Sequence, residues 1–428
     1  MYQPIHLKYR PETLADLIGQ EHIVRTLHNA IAQNKIAPAY LFAGARGTGK
    51  TSTARILAKS LNCHSANSPT TQPCGKCNSC RAIALSNSLD VTELDAASKS
   101  GVDSTRDIIE KLGFATVESR YKIVIIDECH ALSSAAWQSL LKTIEQPPAH
   151  VVFILCTTEA HKVPDTISSR SHWFDFHTPS IQTIVSHLAL IAEKEEIKVT
   201  ESALRTIAQS KNKHMRDCQT LLDQLSNLDT EITANWVWEI TGLIPEYDLL
   251  TILENLSQGN AINSIKILKS NYEFGKSPFN IYTDLVRIFK DLLIAKASGG
   301  ENLTEREDDT WKELVNIACT WEIKHIQSAI SLVSSKYTLM RDNLAHLWLE
   351  TTLIELAQIM ETKTKEQPWA NWKTIQDAIN WSKEKLPHLS QSELEVHWNN
   401  LTPINGKKAP AWVQMVQKLQ IESRLETA

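Results

Sequence analysis

Apolar and polar positions along the chain fall into two regimes. "AYLFAG" (39–44), "YKIVIIDE" (121–128) and "VVFILCTT" (151–158) are short, nearly continuous apolar runs, and the last two are rich in β-branched residues. Each run closes on small or polar residues, as strands buried on both faces of a parallel sheet do. The first ends in a glycine loop and is followed by helical spacing from Thr51 to Leu61, which reads as strand, loop, helix. From "TPSIQTIVSHLALIAEKEEI" onward apolar residues recur at helical spacing, and Pro179 marks the break between a sheet domain and a helical one. No internal repeat is present, and the one low-complexity segment is the Ser/Asn/Pro/Thr loop within "CHSANSPTTQPCGKCNSC" (63–80). Ligands of open parallel sheets bind off the carboxyl ends of the strands, so the residues closing the three runs should line one crevice.

Composition narrows the picture. A chain of 428 residues, 42% hydrophobic, has room for about three domains. With 13 glycines and 15 prolines it reads as largely helical, without long disordered tracts. A net charge of -5 means that any nucleic acid must be held by local basic patches. The start, "MYQPIHLKYRPETLADLIGQ", carries no apolar stretch of signal type, and no run approaches the roughly 18 residues of a membrane span. A cytoplasmic protein is expected, with reduced cysteines available to metal.

Three motifs carry chemistry. "GARGTGKT" (Gly44, Ala45, Arg46, Gly47, Thr48, Gly49, Lys50, Thr51), with Ser52 next, fits the phosphate-loop pattern between a strand and a helix. Its glycines let backbone N–H groups wrap a polyphosphate, Lys50 reaches the β- and γ-phosphates, and the Thr51 hydroxyl is a Mg²⁺ ligand. A chance glycine turn is the bland alternative. In "IVIIDECH", Asp127 is placed to bind Mg²⁺ and Glu128 to polarise the water that attacks the γ-phosphorus. The alternative there is a solvated acidic loop. Cys63, Cys74, Cys77 and Cys80 have a spacing that allows a closed, structural Zn²⁺ site of four thiolates. Four free thiols, or His64 replacing one cysteine, remain as alternatives.

Together "KYRPETLADLIGQ", "GARGTGKTSTARILAKSLNC", "CGKCNSC", "DVTELDAASKSGVDSTRDIIEKL", "KIVIIDECHALSSAAWQSLLKTIEQPP", "TTEAHKVPDTISSR" and "MRDCQTLLDQL" resemble the gamma/tau subunit of the bacterial DNA polymerase III clamp loader, from Tyr9 to about Leu225. The segment from Trp238 to about Met360 resembles that family's helical collar, and the last sixty or so residues are not placed. The resemblance implies an α/β fold: an AAA+ parallel-sheet P-loop ATPase domain over 1–178 with an inserted zinc module (63–80), a helical lid (179–240), an all-α collar that mediates oligomerisation (241–362), and a C-terminal helical extension (363–428).

It also implies residue roles. The four cysteines hold zinc, and Tyr9, Arg10, Pro11, Ile18 and Gly19 form the adenine pocket; taken alone, that segment reads as an arm covering the sheet. Arg170 in "ISSRS" matches an arginine finger for the neighbouring subunit, with Ser171 where the family usually has cysteine. Arg216 matches the lid's sensor arginine, preceded by Lys213-His214 in place of the usual Gly-Ser. Thr157 matches the polar sensor, with Thr158 as the alternative. Lys99 and Arg106 are candidate DNA-phosphate contacts. Trp369, Trp372 and Trp381 read as helical core or a partner-binding face.

The implied function is an ATPase that loads the sliding clamp onto primer-template DNA within a hetero-oligomer with a pentameric core. The implied cofactors are ATP, Mg²⁺ and structural Zn²⁺. A non-hydrolysing scaffold subunit and an AAA+ ATPase of repair or recombination are the competing readings. The complete Lys50, Thr51, Asp127, Glu128 set argues against the first, and the cysteines against the second.

Overall fold

In the computed structural model the described residues are 2–98, 105, 109–110, 112, 115–273, 275–299, 301–304 and 306–361, followed by 378–380, 382–383, 390, 394, 397, 412 and 416. Lys99, Arg106, Trp369, Trp372 and Trp381 lie outside them. The chain divides into two units, Met1–Thr241 and Gly242–Ala428.

The first unit is built on five parallel strands: β1 (Ala39–Gly44), β2 (Val91–Asp95), β3 (Lys122–Asp127), β4 (Val151–Thr157) and β5 (His172–Phe176), in the order β2-β3-β4-β1-β5. The three apolar runs are β1, β3 and β4. They occupy the three central places, where both faces are covered, and every residue of β4 is buried. The outer strands were not legible as apolar runs. β2 ("VTELD") and β5 ("HWFDF") have one neighbour each, so their exposed positions take polar and aromatic side chains.

Alternation sends side chains into two cores. Tyr40, Phe42, Ile123, Ile125, Val152 and Ile154 pack with Ile23, Leu27 and Ile31 of helix Glu21–Ala32 and Leu57 and Leu61 of helix Lys50–Asn62. Leu41, Val124, Ile126, Phe153 and Leu155 pack with Trp137, Leu140 and Ile144 of helix Ser134–Glu145. Helices Ile181–Lys194, Glu201–Ser210, Met215–Leu225 and Ala234–Thr241 share a third core in the same unit. The N-terminal arm joins two cores: Ile5 is buried among the residues of the third core, while Leu14 and Leu17 are buried with Tyr40 and Phe42 in the core on one face of the sheet.

The second unit is helical throughout its described residues, with six principal helices between Glu246 and Glu361. Trp321 is fully buried and meets Phe289 edge-on with ring centroids 5.7 Å apart. Among the described residues no helix is long and apolar enough to cross a membrane.

A charged network runs through this helical core. Arg306 donates from Nε to Asp291 Oδ2 (2.7 Å) and from Nη1 to Glu246 Oε1 (2.6 Å). Asp284 sits beside it with less support: its Oδ2 has no hydrogen-bond partner among the described residues, and Arg287 is 3.4 Å from Oδ1. Burial pushes the Asp284 carboxyl up to about 6, against the pull of Arg287. A carboxyl raised in the folded state binds its proton more tightly there than in the unfolded chain, so its contribution to stability is lost as pH rises from about 4 to about 6. Asp284→Asn removes this penalty. It should raise the free energy of unfolding above pH 6, by at most about 3 kcal/mol, with the gain fading toward pH 4. Thermal unfolding across that pH range checks the sign.

Candidate nucleotide-binding site and metal centre

Register fixes the site. Ala43 of β1 is level with Thr157 of β4, and Ile126 of β3 with Leu155, so Asp127 lies level with Cys156. Gly44, Asp127 and Thr157 therefore close three adjacent strands at one edge of the sheet. Gly44 cannot be replaced there. A Cβ would fall 2.4 Å from the carbonyl oxygen of Phe176, and φ is +147°.

The loop turns into helix Lys50–Asn62 at Gly49, whose φ of +101° favours glycine. No side chain caps this N-terminus, so its first N–H groups are open to an anion. Lys50 is 5% exposed and folds back on its own loop, its Nζ donating to the carbonyls of Gly44 (2.7 Å) and Ala45 (2.8 Å). Burial lowers its pKa, opposed by Glu128 and Asp127.

The Thr51 hydroxyl donates to Asp127 Oδ2 at 2.8 Å. Burial raises the Asp127 pKa, opposed by that hydroxyl and by the Glu128 N–H. Glu128 itself has left-handed backbone (φ +46°), and its Oε2 accepts the N–H (3.1 Å) and hydroxyl (3.0 Å) of Thr158. Thr157 is fully buried beneath, its Oγ1 accepting the Glu159 N–H at 3.0 Å.

These groups border a cavity of about 270 Å³. Tyr9, Arg10, Pro11 and Ile18 line one wall, Arg46 to Ser52 with Asp127 and Glu128 the floor, and Pro179, His187, Met215, Arg216 and Gln219 of the helical half the opposite wall. Arg10 donates from Nε to Ser52 Oγ (3.1 Å), and burial, with the cations Arg55 and Arg216 nearby, lowers its pKa. The Tyr9 phenol donates to Glu195, and burial and that bond push it up to about 12. Gly19 does not line the cavity; its turn (φ +69°) presses on Pro179 and sets Ile18 on the wall. Gly44, Ala45 and Thr157 lie behind the lining.

The phosphate loop meets the helical half closely. A Cβ on Gly47 would lie 3.5 Å from the Met215 nitrogen, at the start of helix Met215–Leu225. Lys213 completes the preceding turn at φ +63°, a conformation that costs a non-glycine residue about 1 kcal/mol.

Arg170 is elsewhere. It is exposed and does not line the cavity; its guanidinium donates to the Thr166 carbonyl (2.9 Å) and pairs with Glu145 (3.1 Å).

The four cysteines converge as well. The Sγ atoms of Cys63, Cys74, Cys77 and Cys80 lie within 4.8 Å of one another, and His64 is not in the cluster. Tetrahedral zinc, with Zn–S of about 2.3 Å, requires sulfurs roughly 3.8 Å apart, so this set needs little adjustment. Backbone N–H groups already point at sulfur: Cys74 N to Cys63 Sγ (3.4 Å), Cys77 N to Cys74 Sγ (3.3 Å) and Cys80 N to Cys77 Sγ (3.4 Å). The Ser65 hydroxyl and the N–H groups of Cys77 and Lys76 lower the Cys74 thiol to about 5, while burial raises Cys80.

Arg120, which sequence reasoning missed, ties this module to the sheet. It donates to the carbonyls of Leu61 (3.0 Å), Ala66 (2.8 Å) and Cys63 (2.6 Å). A lone arginine before a strand gives no signal of that role.

Fold and site together define a P-loop ATPase fold of the AAA+ class. Family models match in succession along the chain: "DNA polymerase III, delta subunit" over residues 19–180, "DNA polymerase III clamp loader subunit, ATPase lid domain" over 183–225, and "DNA polymerase III subunits gamma and tau domain III" over 232–372. The tau subunit of Bacillus subtilis is 41% identical over 317 residues, 73% of this chain and 56% of the relative. The gamma/tau subunit of Mycobacterium tuberculosis is 38% identical over 297 residues, 68% and 51% respectively. The Arabidopsis thaliana protein STICHEL-like 1 is 32% identical over 421 residues, 97% of this chain and 37% of the relative. The chain belongs to the DNA polymerase III gamma/tau family, and it spans about half the length of the bacterial relatives named here.

For the cysteine cluster, protein purified without added metal should carry about one zinc per chain, and Cys77→Ser should lose it. The module braces a helix end, and none of its four cysteines lines the nucleotide cavity. Unfolding midpoint should therefore fall further than ATP turnover. Elemental analysis beside a melting curve checks both; zinc near zero with four reactive thiols would reject the site.

Proposed function

We propose that this chain is the ATP-hydrolysing subunit of a clamp loader. On this reading, nucleotide binding organises a hetero-oligomer that opens a sliding clamp and grips primer-template DNA, and hydrolysis releases both. The observation that carries the reading is the meeting of Lys50, Thr51, Asp127 and Glu128 with Arg216 of the helical half around one cavity. A scaffold that never turned over nucleotide would have no need of Glu128 beside an intact phosphate loop.

The residues divide the work. The wall formed by Tyr9, Arg10, Pro11 and Ile18 receives the base. Loop N–H groups and Lys50 hold the phosphates, the ammonium exchanging its two carbonyl partners for β- and γ-oxygens. Thr51 and Asp127, with oxygens 2.8 Å apart, would hold magnesium. Bound there, the cation neutralises charge on the β- and γ-oxygens. Glu128, released from Thr158, orients the attacking water, and Thr157, buried behind the lining, supports that position through its neighbours rather than by contact. Arg216 approaches the γ-phosphate from the helical half, so nucleotide ties lid to sheet.

Arg170 serves a neighbour. It stands just after the one-turn helix Asp165–Ser168 that follows β4, is solvent-exposed, and is absent from the lining of its own cavity. An arginine finger contributes on the order of 10³ or more to turnover, far beyond any effect of its surface pair with Glu145. Mixing Arg170→Ala with Lys50→Ala chains tests both ATP hydrolysis and action in trans. An intact arginine from one variant can then face an intact loop from the other, so DNA-stimulated ATPase activity should partly return. If no mixing ratio restores activity although mixed oligomers form, the assignment is wrong.

A further inference from the structure

One imidazole stands beside the site, wedged between the ends of β3 and β4. His130 stands in the single turn Cys129–Ala131 that follows β3, and its side chain is 16% exposed. Its Nδ1 lies 3.1 Å from Thr157 Oγ1 and 3.4 Å from Glu128 Oε2. Its Nε2 lies 3.3 Å from Glu159 Oε1. One ring therefore touches the glutamate at the end of β3 and the threonine at the end of β4, and a second carboxylate buttresses its far side.

We propose that His130 is a positioning residue for phosphoryl chemistry, holding the Thr157 hydroxyl and setting where the Glu128 carboxylate rests, so that the two act as one unit. The inference rests on the reading that this site hydrolyses ATP. Carboxylates face both ring nitrogens, Glu159 at Nε2 and Glu128 at Nδ1, and Glu128 already has the two donors of Thr158; in the neutral ring with its proton on Nε2 toward Glu159, Nδ1 accepts. The Thr157 hydroxyl then donates to Nδ1 while accepting the Glu159 N–H. Its proton is committed and its rotamer fixed. The Nδ1 lone pair also faces Glu128 Oε2 and favours keeping that carboxylate on the two donors of Thr158. A protonated ring donates from both nitrogens and draws Glu128 toward itself. In either state the ring governs the direction in which Glu128 can move toward a bound phosphate. A filler of the same volume would pack equally well and do none of this.

The test separates the two ends of the ring in the full chain. Asparagine places its amide near the Nδ1 position, glutamine near Nε2, and alanine at neither. His130→Ala should lower single-turnover hydrolysis at least about tenfold, with ATP affinity and unfolding midpoint close to wild type. His130→Asn should recover several-fold of that loss, and His130→Gln should rank with alanine. Wild-type turnover in His130→Ala, equal slowing by all three variants, or losses that track the unfolding midpoint would each overturn the inference. A wild-type chain inert toward ATP would overturn the ATPase reading and this inference with it. An active wild type with an equally active His130→Ala overturns the inference alone.

Discussion

A buried ammonium held by its own loop is the constraint on which the site depends. Lys50 is almost out of solvent and is satisfied by the carbonyls of Gly44 and Ala45; burial lowers its pKa, and Glu128 and Asp127 oppose that fall. An unmatched buried cation would cost several kcal/mol, so the loop must keep those carbonyls turned inward. Gly44 makes this possible because no other residue fits against Phe176 at φ +147°. The same geometry leaves the helix N-terminus open. The site thus brings together a cation, uncapped N–H groups and two acidic side chains, a set that suits a polyanion with its metal.

The parallel register carries that constraint outward. Because β4 lies between β1 and β3, Thr157 falls between the phosphate loop and the acidic pair, and the polar groups converge without any long loop. The N-terminal arm closes the cavity from the other side. Its Ile5 is rooted in the helical core, and Tyr9 is bonded to Glu195, while Arg10 reaches the first turn of the phosphate-loop helix at Ser52. The arm is thus a second junction between lid and sheet, beside the close approach of Gly47 to the start of helix Met215–Leu225.

Much of this was legible in the sequence because the central strands and the loop leave one-dimensional signatures. Continuous apolar runs mark strands covered on both faces, and the loop spacing is set by the size of a phosphate. The outer strands β2 and β5 left no such trace, since one open edge relaxes the demand for apolar residues. Arg120 and His130 were invisible for a related reason: each acts through partners brought near by the fold, from Leu61 to Ala66 in one case and from β4 in the other. The pocket role of Tyr9, Arg10, Pro11 and Ile18 left no trace in spacing and came from resemblance alone, because the four-residue helix before them, with one buried isoleucine, carries too short a pattern to name its partner.

On the proposed reading, Lys50 exchanges its two carbonyls for nucleotide phosphates. Calorimetric titration of ATP with magnesium into the full chain and into Lys50→Ala measures this directly. The account predicts saturable binding by the wild type and at least a roughly hundredfold weakening in the variant, about 2.7 kcal/mol, with the zinc content of both unchanged. Equal affinity in the two proteins would mean that the buried ammonium belongs to the architecture of the loop alone, and would contradict the account.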